Sequence, residues 1–515
     1  MQAENRIDNT KRIAKNTLML YVRMLFSMLV SLYTSRLILR TLGFEDYGIY
    51  NVVGGFVAMF SLVSGALSSS TSRFLTFELG RGDKKKLKQV FSTSVWIHII
   101  LAIIICLLME SVGVWFLNNR MTIPDDRIIA ANWVFQSSVL AFMMNLLMVP
   151  YSASIISHER MSAFAYIGIL DVLMKLAIVL FVSYSTFDYD KLIVYSLLLV
   201  FVSITLQSIY IYYCRKNFEE CKTHLTFDKE SWKEMSSFAG WNFIGSTAGL
   251  LRNQGVNVLL NIFGGPVLNA ARGLSMTVNN AVGSFIGNFM VALNPQITKS
   301  YAAGDSEYAF TLVEKGARFS FYILLVMALP LLFESEFILT LWLSEYPGHT
   351  VSFVRLILLI SLVDSMSHPL IVLQLATGKI RNYQLAVGGM VFMNFPISYL
   401  CLKLGAEPES VLVVGLVLSV ACLLLRLFLL HKMILFPVLH FIKNVCLKVL
   451  IVLVIALPIP LIFRIEVQDG LFRFLLVSCL TVISTLFSVL YFGCIKSERI
   501  FIVDKIKGVK NKFIR

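Results

Sequence analysis

The sequence predicts an all-α polytopic membrane protein, and three observations carry that expectation. The chain of 515 residues is 57% hydrophobic and only 15% charged, with a mean hydropathy of +0.76, well beyond an ordinary soluble domain. Apolar stretches of about 17 to 25 residues, the length a helix needs to cross about 30 Å of hydrocarbon, recur from end to end. Arginines nonetheless stand inside two of them, Arg23 in the run from Ile13 to Leu39 and Arg252 in the run from Phe238 to Phe263.

About fourteen spans are expected. The first three, 13–35, 47–67 and 90–117, are separated by a glycine-bearing turn from Leu42 to Gly48 and by a basic loop from Lys84 to Lys88. The next three, 130–149, 161–184 and 191–212, end at Arg215 and Lys216. Spans 238–263 and 268–293 follow a polar linker and are split at Gly264 and Gly265. Six more complete the set, at 316–335, 351–373, 384–402, 410–430, 445–463 and 473–493. Pro330, Pro396, Pro458 and Pro460 fall inside spans and predict bent helices. The runs are continuous rather than alternating with period two, which argues against an outer-membrane barrel.

Orientation follows from charge. With the N-terminus inside, inner loops and tails hold about thirty lysines and arginines and outer loops about nine, the positive-inside asymmetry. Both termini are then expected in the cytoplasm. Most of the +14 net charge orients the chain and faces anionic headgroups, so membrane lipids are expected partners and nucleic acid is not. The first apolar run is too long for a cleavable signal and lacks a small-residue cleavage pattern, so it is expected to remain as the first helix. The lysine-rich stretch from Lys496 to Arg515 interleaves apolar residues and is expected to lie on the inner surface.

Arginine near the centre of a membrane helix costs roughly 2.5 to 3.5 kcal/mol, so such positions face a bundle interior or a wet cavity. Snorkelling or pairing with a neighbouring helix is the alternative reading. On the first span Asn16, Arg23, Ser27, Ser31 and Thr34 share one face. On the seventh, Asn242, Ser246, Gly249, Asn253 and Asn257 form a similar stripe beside Arg252, in the corresponding place of the second half. The eighth adds Asn269, Arg272 and Asn279, with Gly283 and Gly287 as close-packing positions. Asp171 and Lys175, four apart, read equally as a salt bridge or a polar lining site. Asp364 near His368 is a candidate protonation site, and Pro369 beside it offers a helix kink as the alternative.

The turn and loop glycines suggest duplication. Gly43 and Gly82 frame one span, Gly264 and Gly304 another, with nearly equal separation and an offset of roughly 220 residues. The expected organisation is a tail (1–12), an N-lobe of six helices (13–213), a linker (214–237), a C-lobe of six (238–431), two further helices (432–493) and a basic tail (494–515). Lobes of six helices enter the membrane in the same sense, related by a pseudo-twofold along its normal.

Several chemistries find no residues. No G-x-x-x-x-G-K-[ST] loop and no soluble nucleotide domain is present, so ATP does not power this chain directly. Cys214, Cys221 and His224 cluster, but their spacing fits no common zinc pattern; no metal and no cofactor is expected. Glu45 and Asp46 lie in the first outer loop, where a turn with Gly43 and Gly48 explains them better than catalysis. The chain is therefore expected to be no enzyme.

Ser35 to Gly43, followed by Tyr47-Gly48-Ile49-Tyr50-Asn51-Val52-Val53 after an N-terminal Lys15-Asn16 helix, resembles the start of Wzx-type polysaccharide flippases of the multidrug/oligosaccharidyl-lipid/polysaccharide exporter superfamily. The resemblance in helix count and repeat extends over about residues 12–495. It implies two six-helix lobes and two extra helices working by alternating access in the bacterial cytoplasmic membrane, for surface polysaccharide such as O-antigen or capsule. The implied substrate is a polyprenyl-diphosphate-linked oligosaccharide moved from the inner to the outer leaflet, with polymerase and assembly proteins as partners. It also implies that Arg23 and Arg252 grip the diphosphate. Guanidinium forks suit a diphosphate, and amides and hydroxyls suit sugar, which makes Asn16, Ser27, Asn253, Asn257, Arg272 and Asn279 the remaining candidate substrate-binding residues. Asp171, Lys175 and Asp364 are candidates for ion coupling. A multidrug or cation exporter on the same fold is the alternative, and a membrane glycosyltransferase or ligase ranks third.

Overall fold

The structure, a computed structural model, describes all residues except 1, 59, 122, 186–189, 223–225, 344, 497 and 501–515. Among the described residues all regular structure is helical. Helix α1 (Gln2–Ala58) breaks at Gly43 and α2 (Ser61–Arg81) follows it; α3 (Lys84–Leu108) runs through a π-helical turn into α4 (Val114–Arg120). Next come α5 (Ile128–Ser157), α6 (Met161–Tyr184), α7 (Lys191–Asn217) and the long α8 (Lys229–Ala302), kinked at Gly265. The second half holds α9 (Ser306–Phe333), α10 (Ser335–Leu343), α11 (Thr350–Ala376), α12 (Arg381–Phe392), α13 (Asn394–Lys403) and α14 (Ser410–Ile434). It closes with α15 (Val438–Phe441), α16 (Leu447–Ala456), α17 (Pro458–Glu466) and α18 (Leu471–Ser488).

Among the described residues, eleven segments are long and apolar enough to cross a membrane. The three predicted spans outside that set are the stretch after Gly43 and the two arms of α8, all rich in glycine, serine and asparagine. Their polarity is the expected property of helices that line a wet interior rather than face lipid. Prolines act as predicted at two places: one span is divided into α12 and α13 ahead of Pro396, and another into α16 and α17 at Pro458. Pro330 sits inside an unbroken α9. Aspartates cap several starts, with Asp83 accepting from the amides of Lys85 and Lys86, and Asp190 from those of Leu192 and Ile193.

The backbone fixes the register of the internal repeat. Gly43 (φ 81°, ψ 174°) and Gly265 (φ 73°, ψ −172°) break their helices in the same conformation, one essentially confined to glycine. Gly82 (φ 75°) and Gly304 (φ 82°) lie at the ends of the helical stretches that follow. Gly265 follows Gly43, and Gly304 follows Gly82, by the same 222 residues, so Gly265 and not Gly264 is the counterpart. At this offset Arg23 falls opposite Gly245 and Arg252 opposite Val30. The expectation that the two arginine stripes occupy corresponding positions is thereby corrected: the arginines stand two helical turns out of step.

Contacts divide the chain into two compact units, Met1–Ser246 with Val291–Asp305, and Thr247–Met290 with Ser306–Arg515. In the first, α5 packs on α7 and α1 on α6, around a core that includes Val53, Val134, Phe135 and Leu146. In the second, α11 packs on α9 and α14, and Val256, Leu260, Phe353, Ile357 and Leu412 form a core against both arms of α8. Inside lipid this is held by close van der Waals packing rather than by transfer from water. Gly255 shows the fit: a Cβ there would lie 2.7 Å from the Phe395 ring.

Candidate functional site

The second unit encloses a cavity of about 270 Å³ between the two arms of α8, α11, α13 and α14. Its polar lining comprises Arg252, Asn253, Arg272, Asn279, Ser361, Asp364 and Asn394. The kink at Gly265 is what brings the arm carrying Arg252 and Asn253 beside the arm carrying Arg272 and Asn279. Five residues singled out in the sequence thus meet in one place.

Arg272 is 4% exposed and anchored. Its Nη1 donates to the Asn253 carbonyl at 2.9 Å and to the Asn257 side-chain oxygen, while its Nε has no partner. Asn257 therefore positions an arginine and is absent from the lining, whereas the spare Nε leaves Arg272 a donor for a ligand. Arg252 is held less tightly, with Nη2 4.0 Å from Asp364 Oδ2. The Ser361 hydroxyl donates to Asn279 Oδ1 at 2.6 Å, and that of Ser398 to Asn394 Oδ1 at 2.9 Å, leaving both amide NH2 groups as candidate donors. A Cβ on Gly415 would lie 3.3 Å from the Asn394 amide nitrogen, so glycine keeps that corner open. Two guanidiniums, three amides and one carboxylate make a site with net positive charge, suited to a dianion.

Asn394 and Ser361 escaped the sequence reading, being single polar groups in apolar runs. Arg426 was missed as well, although a lone arginine in the run 410–430 is the same signal that singled out Arg252. It is 9% exposed and donates from Nε to the Tyr383 hydroxyl and from Nη1 to Ser367 Oγ, both at 3.1 Å.

The remaining candidates lie in the first unit. The Arg23 guanidinium sits 4.6 Å over the Phe164 ring, with room made by Gly168, where a Cβ would be 2.8 Å from Arg23 Cδ. Asn16 is buried and donates to the Glu159 carbonyl at 3.3 Å. The Glu159 carboxylate receives Arg12 at 2.8 Å, Lys299 at 2.7 Å and Gln296, an ionic knot that fastens the start of α1 and the end of α8 to the α5–α6 turn. Asn16 thus serves helix packing. Ser27 is half-buried on α1. Asp171 and Lys175 form their ion pair at 2.9 Å, the first of their two readings. Asp46 is held by Arg127 at 2.5 Å, with Asp190 on the same guanidinium, which gives that loop acid a structural partner. His224 and the stretch 501–515 lie outside the described residues.

The first unit also holds a cavity, of about 380 Å³, between the stretch of α1 after Gly43, α5 and α7. Tyr50, Asn51, Ser137, Ser138, Asn145 and Ser196 give it polar groups and no charge.

A family model described as polysaccharide biosynthesis protein matches residues 13–304, more than half of the chain. The chain belongs to that family. The chain is 22% identical over 156 residues to the uncharacterized membrane protein EpsK of Bacillus subtilis (strain 168), a match covering 30% of this chain and 31% of that protein's length. Its fold is that of solved transporters. One, described as the outward-facing conformation of a multidrug resistance MATE family transporter of the MOP superfamily, superposes with a TM-score of 0.67 at 13% identity, covering 84% of this chain and 97% of that one. Another, from Pyrococcus furiosus Vc1 (DSM3638), described as a MOP superfamily transporter whose binding pocket has reverse polarity, gives 0.68 at 11% identity, covering 83% and 96%. The resemblance read from Ser35 to Val53 and the predicted all-helical fold are both met.

Proposed function

We propose that this protein translocates polyprenyl-diphosphate-linked oligosaccharides from the inner to the outer leaflet of a bacterial cytoplasmic membrane, for surface polysaccharide assembly. The observation that carries the reading is the cavity with Arg252 and Arg272 on facing arms of α8. A diphosphate presents oxygens to both forks, and each charge-assisted contact contributes about 1.5 to 3 kcal/mol in a dry site. Asn279 and Asn394 supply neutral donors beside them. Asp364 competes with the ligand for Arg252 and is the candidate for coupling to an ion. The polyprenyl chain stays in lipid, where it costs nothing to leave.

A multidrug exporter is the second reading, favoured by the fold of its solved neighbours and by Asp364. Two guanidiniums in one small cavity repel a cationic drug, which places this reading second. Mass spectrometry of lipid-linked oligosaccharides in cells lacking the chain separates the two. Accumulation of complete polyprenyl-diphosphate repeat units with loss of surface glycan is expected. Unchanged lipid pools with greater sensitivity to toxic cations would select the exporter of drugs.

A further inference from the structure

The uncharged cavity of the first unit is the repeat counterpart of the arginine cavity. At the offset of 222 residues, Tyr50 stands where the second unit has Arg272, Gly54 where it has Met276, Val57 where it has Asn279, and Phe142 where it has Asp364. The same corner of the fold therefore holds two aromatic rings in the first unit and an arginine and an acid in the second.

What remains there is hydroxyl and amide. Ser137 is 5% exposed, lines the cavity, and its hydroxyl has no hydrogen-bond partner; a buried orphan hydroxyl costs free energy unless a ligand or water meets it. The Asn51 NH2 donates to the Tyr47 carbonyl at 2.7 Å, which leaves its side-chain oxygen as an acceptor. Ser196 donates to the Ile193 carbonyl at 2.8 Å and keeps lone pairs for a donor. Asn145 and Ser138 add groups that both donate and accept. A ligand matched to this lining is uncharged, carries several hydroxyls, and offers an apolar face to Tyr50 or Phe142. The volume lies in the range of small-molecule pockets.

We infer that this cavity is a binding site for an uncharged sugar ring. The assignment rests on the proposed role in glycan export for the choice of carbohydrate among neutral polar ligands. It gives the two units separate chemistry, with anion recognition in the second and carbohydrate recognition in the first.

The test uses the full chain in lipid nanodiscs and two probes. A photoreactive octyl β-glucoside is cross-linked and mapped by peptide mass spectrometry, and inorganic pyrophosphate binding is measured separately. Glycoside labelling is expected within residues 50–57 and 137–145, competed by free neutral hexose or N-acetylhexosamine. It should fall about tenfold in Ser137→Leu with Asn145→Leu and about threefold in the milder Ser137→Ala, with pyrophosphate binding unchanged in both. Labelling confined to lipid-facing surfaces, or equal in wild type and variants, overturns the assignment. Glycoside labelling at this cavity without any pyrophosphate binding would sustain the carbohydrate site and remove the diphosphate reading instead.

Discussion

The two cavities occupy equivalent places in the two repeats and differ in charge: arginines and an acid line the second, and no charged group lines the first. Tyr50 and Phe142 in the first unit stand at the repeat positions that Arg272 and Asp364 hold in the second. Duplication supplies two similar clefts, and the cost of burying charge then separates them. Arg272 is retained where the Asn253 carbonyl and Asn257 anchor it, and Arg252 where Asp364 meets it. Where neither exists, an aromatic with a polar tip fills the same corner without that cost.

The comparison breaks most visibly if the charged cavity is made to resemble its twin. Arg272→Tyr removes one fork and takes the guanidinium donor from Asn257 Oδ1 and the Asn253 carbonyl, and pyrophosphate binding to the purified chain should fall about a hundredfold. Arg272→Lys keeps the charge and loses the planar fork, so a loss of about tenfold is expected in the same assay. Arg252→Ala, at the less anchored position, should cost about ten- to a hundredfold with little effect on thermal stability.

Asp364→Asn sharpens the electrostatic account. With the acid gone, Arg252 is free for the ligand, and pyrophosphate should bind about three- to tenfold tighter at neutral pH. Pyrophosphate titration of the wild type and the variant at neutral pH checks it.

The repeat itself is tested by its hinges. Gly43→Ala and Gly265→Ala force a side chain into a conformation that costs of order 1 to 3 kcal/mol. The two variants should lose melting temperature by similar amounts, since the glycines share one geometry. Asp228→Ala is the smallest effect: it removes the cap that accepts the Ser231 amide at 3.0 Å and should cost about 1 kcal/mol. The Ser231 hydrogen bonds hold the Asp228 carboxyl below its ordinary range. Its contribution is therefore present at neutral pH and lost as the pH falls through that depressed value.

The helices were legible because a bilayer allows so few solutions, and continuous apolar length reports a spanning helix directly. Arg252 and Arg272 were legible because their placement is costly. Their conjunction was not, since it depends on the Gly265 kink folding one arm of α8 against the other. Asn16 and Asn257 illustrate the limit of a polar stripe: periodicity puts them on the right face, yet one holds the Glu159 carbonyl and the other an arginine. The neutral cavity gave no sequence signal, because serine and asparagine in a glycine-rich helix are cheap and common.

The most direct measurement of the central claim is leaflet-to-leaflet transfer of a fluorescent polyprenyl-diphosphate oligosaccharide by the full chain in liposomes, wild type against Arg252→Ala with Arg272→Ala. Transfer by the wild type and its loss in the double variant, with unchanged reconstitution, is the result expected. Transfer at the wild-type rate without either arginine would contradict the account.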